Sequence, residues 1–208
     1  PESIFNRLPI RYSYNEDYYQ QTQYQGIPKN GYKNIFINLL KNQRIKVLFK
    51  QKYNLNYKIK PKYLTIYTGP LDSLMRYKFG KLEWRSLLFK KEIKNVKDFQ
   101  GTSVINYPDI INKFTRIHEP KHLHPERKPF ESNQTLIIKE YSIKNDNEPY
   151  YPINDEKNRI KHRKYKSEVS KIKKFEFGGR LADYAYYDMD MTISAALKKF
   201  EQIKKKIK

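Results

Sequence analysis

The chain has no cysteine. That excludes disulfides, thiolate nucleophiles and cysteine-based zinc sites, and it favours a reducing compartment, so a cytoplasmic location is expected. No apolar run approaches the roughly 18 residues of a membrane-spanning helix, so no membrane partner is expected. The opening residues Pro1-Glu2-Ser3-Ile4 have neither the basic start nor the apolar stretch of a signal peptide. They also lack an initiator methionine, which suggests a chain that begins inside a longer protein. Glycine is scarce, at 7 residues, and its one adjacent pair is Gly178-Gly179. No Gly-x-Gly-x-x-Gly turn, Walker loop or Ser-His-Asp arrangement is present. His122 and His124 form a His-x-His pair with no third ligand nearby in the sequence, so no metal site is expected.

Acidic residues are few against basic ones: 22 Asp and Glu oppose 43 Lys and Arg, a formal net charge of +21. Such a balance suits a polyanionic partner, nucleic acid first, but it also fits an enzyme with a lysine-rich surface. Hydrophobic residues are only 38% of the chain, yet 19 Tyr and 11 Phe supply large buriable rings. With 208 residues a sizeable packed core is feasible.

The order of residues suggests a mixed α/β chain. A tyrosine-rich opening leads to an amphipathic helix with Ile35, Phe36, Leu39 and Leu40 on one face. Short apolar or alternating runs at 46–49, 63–68, 85–93, 102–107, 114–117 and 135–141 read as strands. Their connections are too short for parallel crossovers, so much of the sheet should be antiparallel. A charged helix is expected over 155–173, with Ile160, Tyr165, Val169 and Ile172 as its apolar positions. A short strand at Phe175-Glu176-Phe177 runs into Gly178-Gly179-Arg180. A last helix over 192–203 carries Ile193, Leu197 and Phe200 as a core stripe.

Seven blocks in one order resemble the UDP-galactopyranose mutase family. They are Arg7-Leu8-Pro9-Ile10-Arg11-Tyr12 with Tyr24-Gln25-Gly26-Ile27-Pro28; Ile66-Tyr67-Thr68-Gly69-Pro70-Leu71-Asp72; Leu82-Glu83-Trp84-Arg85-Ser86-Leu87; Phe99-Gln100-Gly101 with Val104-Ile105-Asn106-Tyr107; Phe114-Thr115-Arg116-Ile117-His118-Glu119-Pro120-Lys121-His122; Glu148-Pro149-Tyr150-Tyr151-Pro152; and Phe177-Gly178-Gly179-Arg180-Leu181-Ala182-Asp183-Tyr184 through Tyr186-Tyr187-Asp188-Met189. Each alone is weak, but the ordered set is specific.

The resemblance implies an isomerase that interconverts UDP-galactopyranose and UDP-galactofuranose through an adduct between the sugar and N5 of reduced FAD, in surface-glycan synthesis. It implies substrate-binding roles for Arg7, Tyr18, Arg116, Tyr151 and Tyr186, with Arg7, Arg116, Tyr186 and Asp188 as catalytic residues. It assigns Gly178, Gly179, Arg180, Asp188 and Met189 to the cofactor. The chemistry suits these residue types. An arginine fork makes charge-assisted bonds to a departing diphosphate, and a neutral phenol donates one more. Asp188 read alone is an N-cap, and Arg11 is an alternative to Arg7. Glu140 is a candidate to orient a neighbouring basic group.

The implied architecture is α/β with α+β character: a mostly antiparallel substrate-domain sheet, plus the C-terminal strand and helix of an incomplete Rossmann-like FAD-binding domain. The expected parts are a mobile loop and the end of a helical region over 1–45, the antiparallel substrate domain over 46–147 and the C-terminal part of the flavin domain over 148–208. The family's N-terminal flavin turn has no counterpart here, so the expected partners are UDP-galactose, a missing N-terminal half and a second copy as homodimer. Two other readings stand beside this one. A basic, ribosomal-type nucleic-acid binder would carry aromatics interleaved with Lys and Arg on an exposed sheet face. A non-catalytic mutase-like fragment would keep the fold without turnover.

Overall fold

A computed structural model describes residues 23–124, 126–127, 133–144 and 148–207. The chain divides into two units, residues 1–49 and 50–208. In the first unit, helix α1 (Tyr32–Leu40) follows Gly31, whose φ of 75° suits glycine. Its expected apolar face is exposed: Ile35, Phe36, Leu39 and Leu40 all stand open to solvent. The run over 46–49, expected as a strand, is not one. Val47, Leu48 and Phe49 are exposed, and four residues without a paired neighbour gain no ladder hydrogen bonds.

The second unit holds the strands: β1 (Thr65–Tyr67), β2 (Trp84–Lys94), β3 (Val104–Asn106), β4 (Arg116–His118), β5 (Thr135–Ile143), β6 (Tyr151–Pro152) and β7 (Phe175–Phe177). Its helices are α2 (Leu71–Leu74), α3 (Glu156–Val169) and α4 (Met189–Ile207). Five strands form one antiparallel sheet in the order β3-β4-β5-β2-β6. β1 and β7 form a separate parallel pair, with Thr65 opposite Phe175 and Tyr67 opposite Phe177. The fold is thus mixed α/β, dominated by the antiparallel sheet that the short connections predict.

The core lies where α2 and α3 meet the turns around them. Leu71, Leu74, Leu82, Tyr165, Val169, Ala182 and Tyr184 are buried together, edged by Tyr53, Tyr67, Phe79, Trp84, Phe175 and Phe177. Two of the apolar positions read from the helical period, Tyr165 and Val169, are fully buried, while Ile160 is exposed. The polar groups drawn inside are answered. The Tyr165 hydroxyl accepts from Phe79 N at 2.8 Å and donates to Gly80 O at 2.8 Å. Asp72 accepts from Leu82 N at 2.9 Å and from Ser73 N at 2.8 Å. Asp155 caps α3 by accepting from Asn158 N at 2.8 Å.

α4 departs from expectation. It starts at Met189, three residues before the sequence boundary, and its stripe is not core: Ile193, Leu197 and Phe200 are 60%, 62% and 56% exposed. The helix is held on another flank. Ile203 is buried, and Lys199 and Lys206 pair with Glu176 of β7 at 3.4 and 2.6 Å. Nothing among the described residues covers the stripe.

Candidate active site

The block around Arg116 shows how alternation sorts a strand into two jobs. Side chains at i and i+2 share a face. On β4, Arg116 and His118 therefore point one way, and Ile117, buried at 3% exposure, points the other. Register carries the first face across the sheet: Arg116 lies opposite Glu140 of β5, and Glu140 opposite Phe89 of β2. Glu140 is buried and reaches both basic neighbours. Its Oε1 lies 3.9 Å from Arg116 Nε, and its Oε2 lies 3.1 Å from His118 Nε2. Thr115 adds a hydroxyl that donates to Glu140 O at 3.2 Å. Arg116 thus has one edge steered by a carboxylate while nearly half its side chain stays open to a ligand.

A second cluster joins three segments distant in sequence. The Tyr151 and Tyr186 rings stack with centroids 5.5 Å apart and an interplanar angle of 21°. The Arg180 guanidinium sits over the Tyr151 ring at 5.7 Å, in cation–π range. Arg180 Nε is buried and has no hydrogen-bond partner among the described residues. Phe89 lies 6.4 Å from His118 of the first cluster and 6.1 Å from Tyr150, the residue before Tyr151. Tyr150 sits against Glu148, and burial together with that carboxylate pushes its phenol up.

The backbone that places Arg180 is a tight turn. Gly179 has φ of +86°, a conformation that L side chains rarely adopt. Its N–H donates to Asp183 Oδ2 at 3.1 Å, and Tyr187 donates to the same carboxylate at 3.3 Å. Gly178 is buried and donates to Tyr67 O at 3.1 Å, tying the turn to β1. Asp188 precedes α4, and its carbonyl accepts from Thr192 N at 2.9 Å. Met189 begins that helix and is 60% exposed.

Of the residues named from the sequence, the structure brings Arg180, Tyr151 and Tyr186 together and sets Arg116 on the adjoining sheet face. Arg7, Tyr18 and the alternative Arg11 lie outside the described residues. Two neighbours that the sequence did not assign to the site stand beside these residues. His118 shares the Glu140 carboxylate with Arg116, and Arg85 lies opposite Tyr151 in register. The alternation Arg85, Leu87, Phe89 along β2 was the available signal.

The histidine region has a different role. Asp98, Glu119 and His122 bring ligand atoms within 4.8 Å of one another. Lys121 already stands there, 2.9 Å from Glu119 Oε1 and 3.5 Å from Asp98 Oδ2, so the carboxylates meet an ammonium. His124 pairs instead with Glu126, at 3.1 Å.

Two guanidiniums and a pair of phenols on one side of an antiparallel sheet suit a phosphate-bearing ligand, because both groups donate and neither carries a negative charge. Sequence comparison gives that chemistry a family. The UDP-galactopyranose mutase family model matches residues 1–186, and the chain belongs to this family. It is 35% identical over 201 residues to a probable UDP-galactopyranose mutase of Klebsiella pneumoniae, covering 95% of this chain and 50% of that protein. It is 36% identical over 222 residues to a UDP-galactopyranose mutase of Mycoplasma genitalium, covering 97% of this chain and 53% of that protein. A dTDP-fucopyranose mutase of Escherichia coli is 32% identical over 206 residues, covering 95% of this chain and 53% of its own length. The chain spans about half the length of the curated relatives it matches. Among the described residues no helix is long and apolar enough to cross a membrane.

Proposed function

We propose that this chain forms the diphosphate-gripping part of a UDP-galactopyranose mutase, which interconverts UDP-galactopyranose and UDP-galactofuranose together with the half of the family's length that it does not span. The observation that carries the reading is the Arg180–Tyr151–Tyr186 column, with Arg116 on the adjoining sheet face. In such a reaction the bond from the sugar to UDP breaks and re-forms, so negative charge grows on the diphosphate. Arg116 stabilises that charge, and Glu140 holds it in orientation. Arg7, from the opening segment, supplies a second guanidinium. Tyr151 and Tyr186 donate neutral hydrogen bonds that hold the diphosphate in line, and Tyr18 adds a third. Asp188 lies at the sugar end.

The residues present fit a flavin. Arg180 has a buried, unpartnered Nε, and the Gly178-Gly179 turn puts bare backbone beside it. When bound, reduced FAD supplies a nucleophile for the anomeric carbon. Gly178, Gly179, Arg180, Asp188 and Met189 would hold and orient it.

The test is turnover of this chain mixed with the portion of the Mycoplasma genitalium relative that it leaves uncovered, under reducing conditions. UDP-galactofuranose should convert to UDP-galactopyranose, and Arg116→Ala should slow this by about 100-fold or more, as loss of one charge-stabilising donor does. Direct titration of UDP onto the chain alone should show the same variant binding more weakly. Unchanged turnover and unchanged UDP affinity in Arg116→Ala would remove Arg116 from the site. The Escherichia coli relative favours a second reading in one respect, the sugar nucleotide. The assay therefore also runs dTDP-fucopyranose, and faster turnover of it would reassign the substrate.

A further inference from the structure

The hairpin joining β3 to β4 ends in a turn with an unusual tip. Asn112 N donates to Asp109 O at 3.3 Å, which closes a turn over Asp109-Ile110-Ile111-Asn112. Asp and Asn at its ends are ordinary turn residues, but two isoleucines at its centre are not. Both point into solvent: Ile110 is 101% exposed and Ile111 is 93% exposed. A folded chain gains nothing from a β-branched apolar pair there.

Below the tip lies an aromatic stack with lysines around it. Tyr107 and Phe114 flank the turn with rings 4.9 Å apart, and Phe114 meets Tyr141 at 6.2 Å. Lys139 Nζ stands 5.6 Å from the Phe114 ring centre, and Lys90 Nζ stands 5.1 Å from that of Tyr141. Lys113 is exposed beside the turn. The opposing charges are Asp109 at the turn and Glu92, which pairs with Lys139 at 2.9 Å. Lys90 and Lys113 make no ion pair among the described residues.

We propose that the Ile110-Ile111 tip docks this protein onto an anionic lipid surface. The two isoleucines enter the interfacial layer, Tyr107 and Phe114 lie at headgroup depth, and Lys90 and Lys113 meet the headgroup phosphates. The order apolar tip, aromatic belt, cationic collar matches the polarity profile of a bilayer edge. Nucleic acid, the other polyanion that a charge of +21 invites, has no use for an aliphatic tip. This adds a surface partner that the lack of a spanning segment did not reveal, and it stands independently of the mutase reading.

The experiment floats the 208-residue chain with vesicles of phosphatidylcholine, either pure or containing about 30% phosphatidylglycerol, at roughly physiological salt. The parent should float with the anionic vesicles. Ile110→Ser/Ile111→Ser keeps the charge and lies outside the core, and its vesicle affinity should fall at least about tenfold. Lys90→Gln/Lys113→Gln should weaken binding by roughly fivefold per lysine. Failure of the parent to float would overturn the proposal, as would unchanged flotation of the serine variant, which would leave net charge as the cause. Sedimentation of the parent and the serine variant tests the other occupant: a dimer that becomes a monomer on loss of the isoleucines would make the tip a contact between copies instead.

Discussion

Glu119 is the residue whose replacement tests the packing behind the site most directly. It follows β4, its side chain is fully buried, and its carboxylate gathers a loop, a strand and a helix turn. Phe99 N donates to Oε1 at 3.1 Å, Gln100 N to Oε2 at 2.9 Å and the Thr135 hydroxyl to Oε1 at 2.6 Å. Lys121 lies 2.9 Å from Oε1, and His122 Nε2 lies 3.5 Å from Oε2. Burial pushes this carboxyl up, but the bonds from Thr135, Lys121 and the two amides outweigh it and hold it below its ordinary value. Glu119→Ala orphans the buried Thr135 hydroxyl and leaves half-buried donors on the loop and the helix turn without their acceptor, which costs about 3 kcal/mol. Glu119→Gln keeps one acceptor but loses the charge and turns an amide toward a donor, which costs about 2 kcal/mol. Urea unfolding followed through Trp84 reads both values, and melting points should fall by about 2–4 °C per kcal/mol. The sign with pH follows from the lowered pKa. The carboxylate's contribution is complete above its ordinary value near 4.5 and is lost as the pH falls below that. Glu119→Gln should therefore flatten the stability curve there. A glutamine variant within about 0.5 kcal/mol of the parent at neutral pH would refute the account.

Three other expectations follow from the same reasoning. His162 is half-buried with Nε2 2.9 Å from Ala182 O, and burial pushes its pKa below the ordinary 6.5. Its neutral form is the folded one, so stability is full above pH 6.5 and declines as the pH falls. Thermal melts between about pH 5 and 7 should slope upward in the parent and lie flatter in His162→Gln. Tyr184 is buried, with its hydroxyl 3.0 Å from Ile153 O and also against Glu83 O. Glu83 O has a second donor in Ile153 N, so Tyr184→Phe should cost only about 1 kcal/mol in urea unfolding. A loss above about 3 kcal/mol would mean that the ring, not the hydroxyl, is misplaced. Leu197→Asp should change the stability of the chain alone by less than about 0.5 kcal/mol, because the side chain is exposed. In the mixture with the uncovered half of a relative, the same change should abolish turnover if the stripe packs against that half, and retained turnover would show that it does not.

Local pattern carried a good part of this fold. The apolar and alternating runs of β2 and β5 marked two strands, though not their pairing, and the helical period of α3 placed Tyr165 and Val169 inward. The parallel pairing of β1 with β7 was not legible, because its register joins residues 110 apart, Thr65 and Phe175, through tertiary packing alone. Within the site, the block running from Phe114 to His122 was legible as a unit, but its division of labour was not. Strand alternation sends Arg116 and His118 to the open face, while Ile117 and Glu119 turn inward to hold the sheet. Sequence proximity cannot show this until the register is known.

The α4 stripe shows where periodicity stops. A spacing of i, i+4, i+7 states which side of a helix is apolar, and Ile193, Leu197 and Phe200 do share a side. It does not state what covers that side. Here the flank facing β7 is tied by two lysines on Glu176, and the apolar stripe stands open. The β1–β7 pair raises the same question. Parallel strands are ordinarily covered on both faces, and a two-stranded sheet is marginal without further packing. Ile66 on β1 is 56% exposed. The stripe and the parallel pair are joined through Glu176 of β7 and the two lysines of α4. Among the described residues, nothing covers the stripe or Ile66.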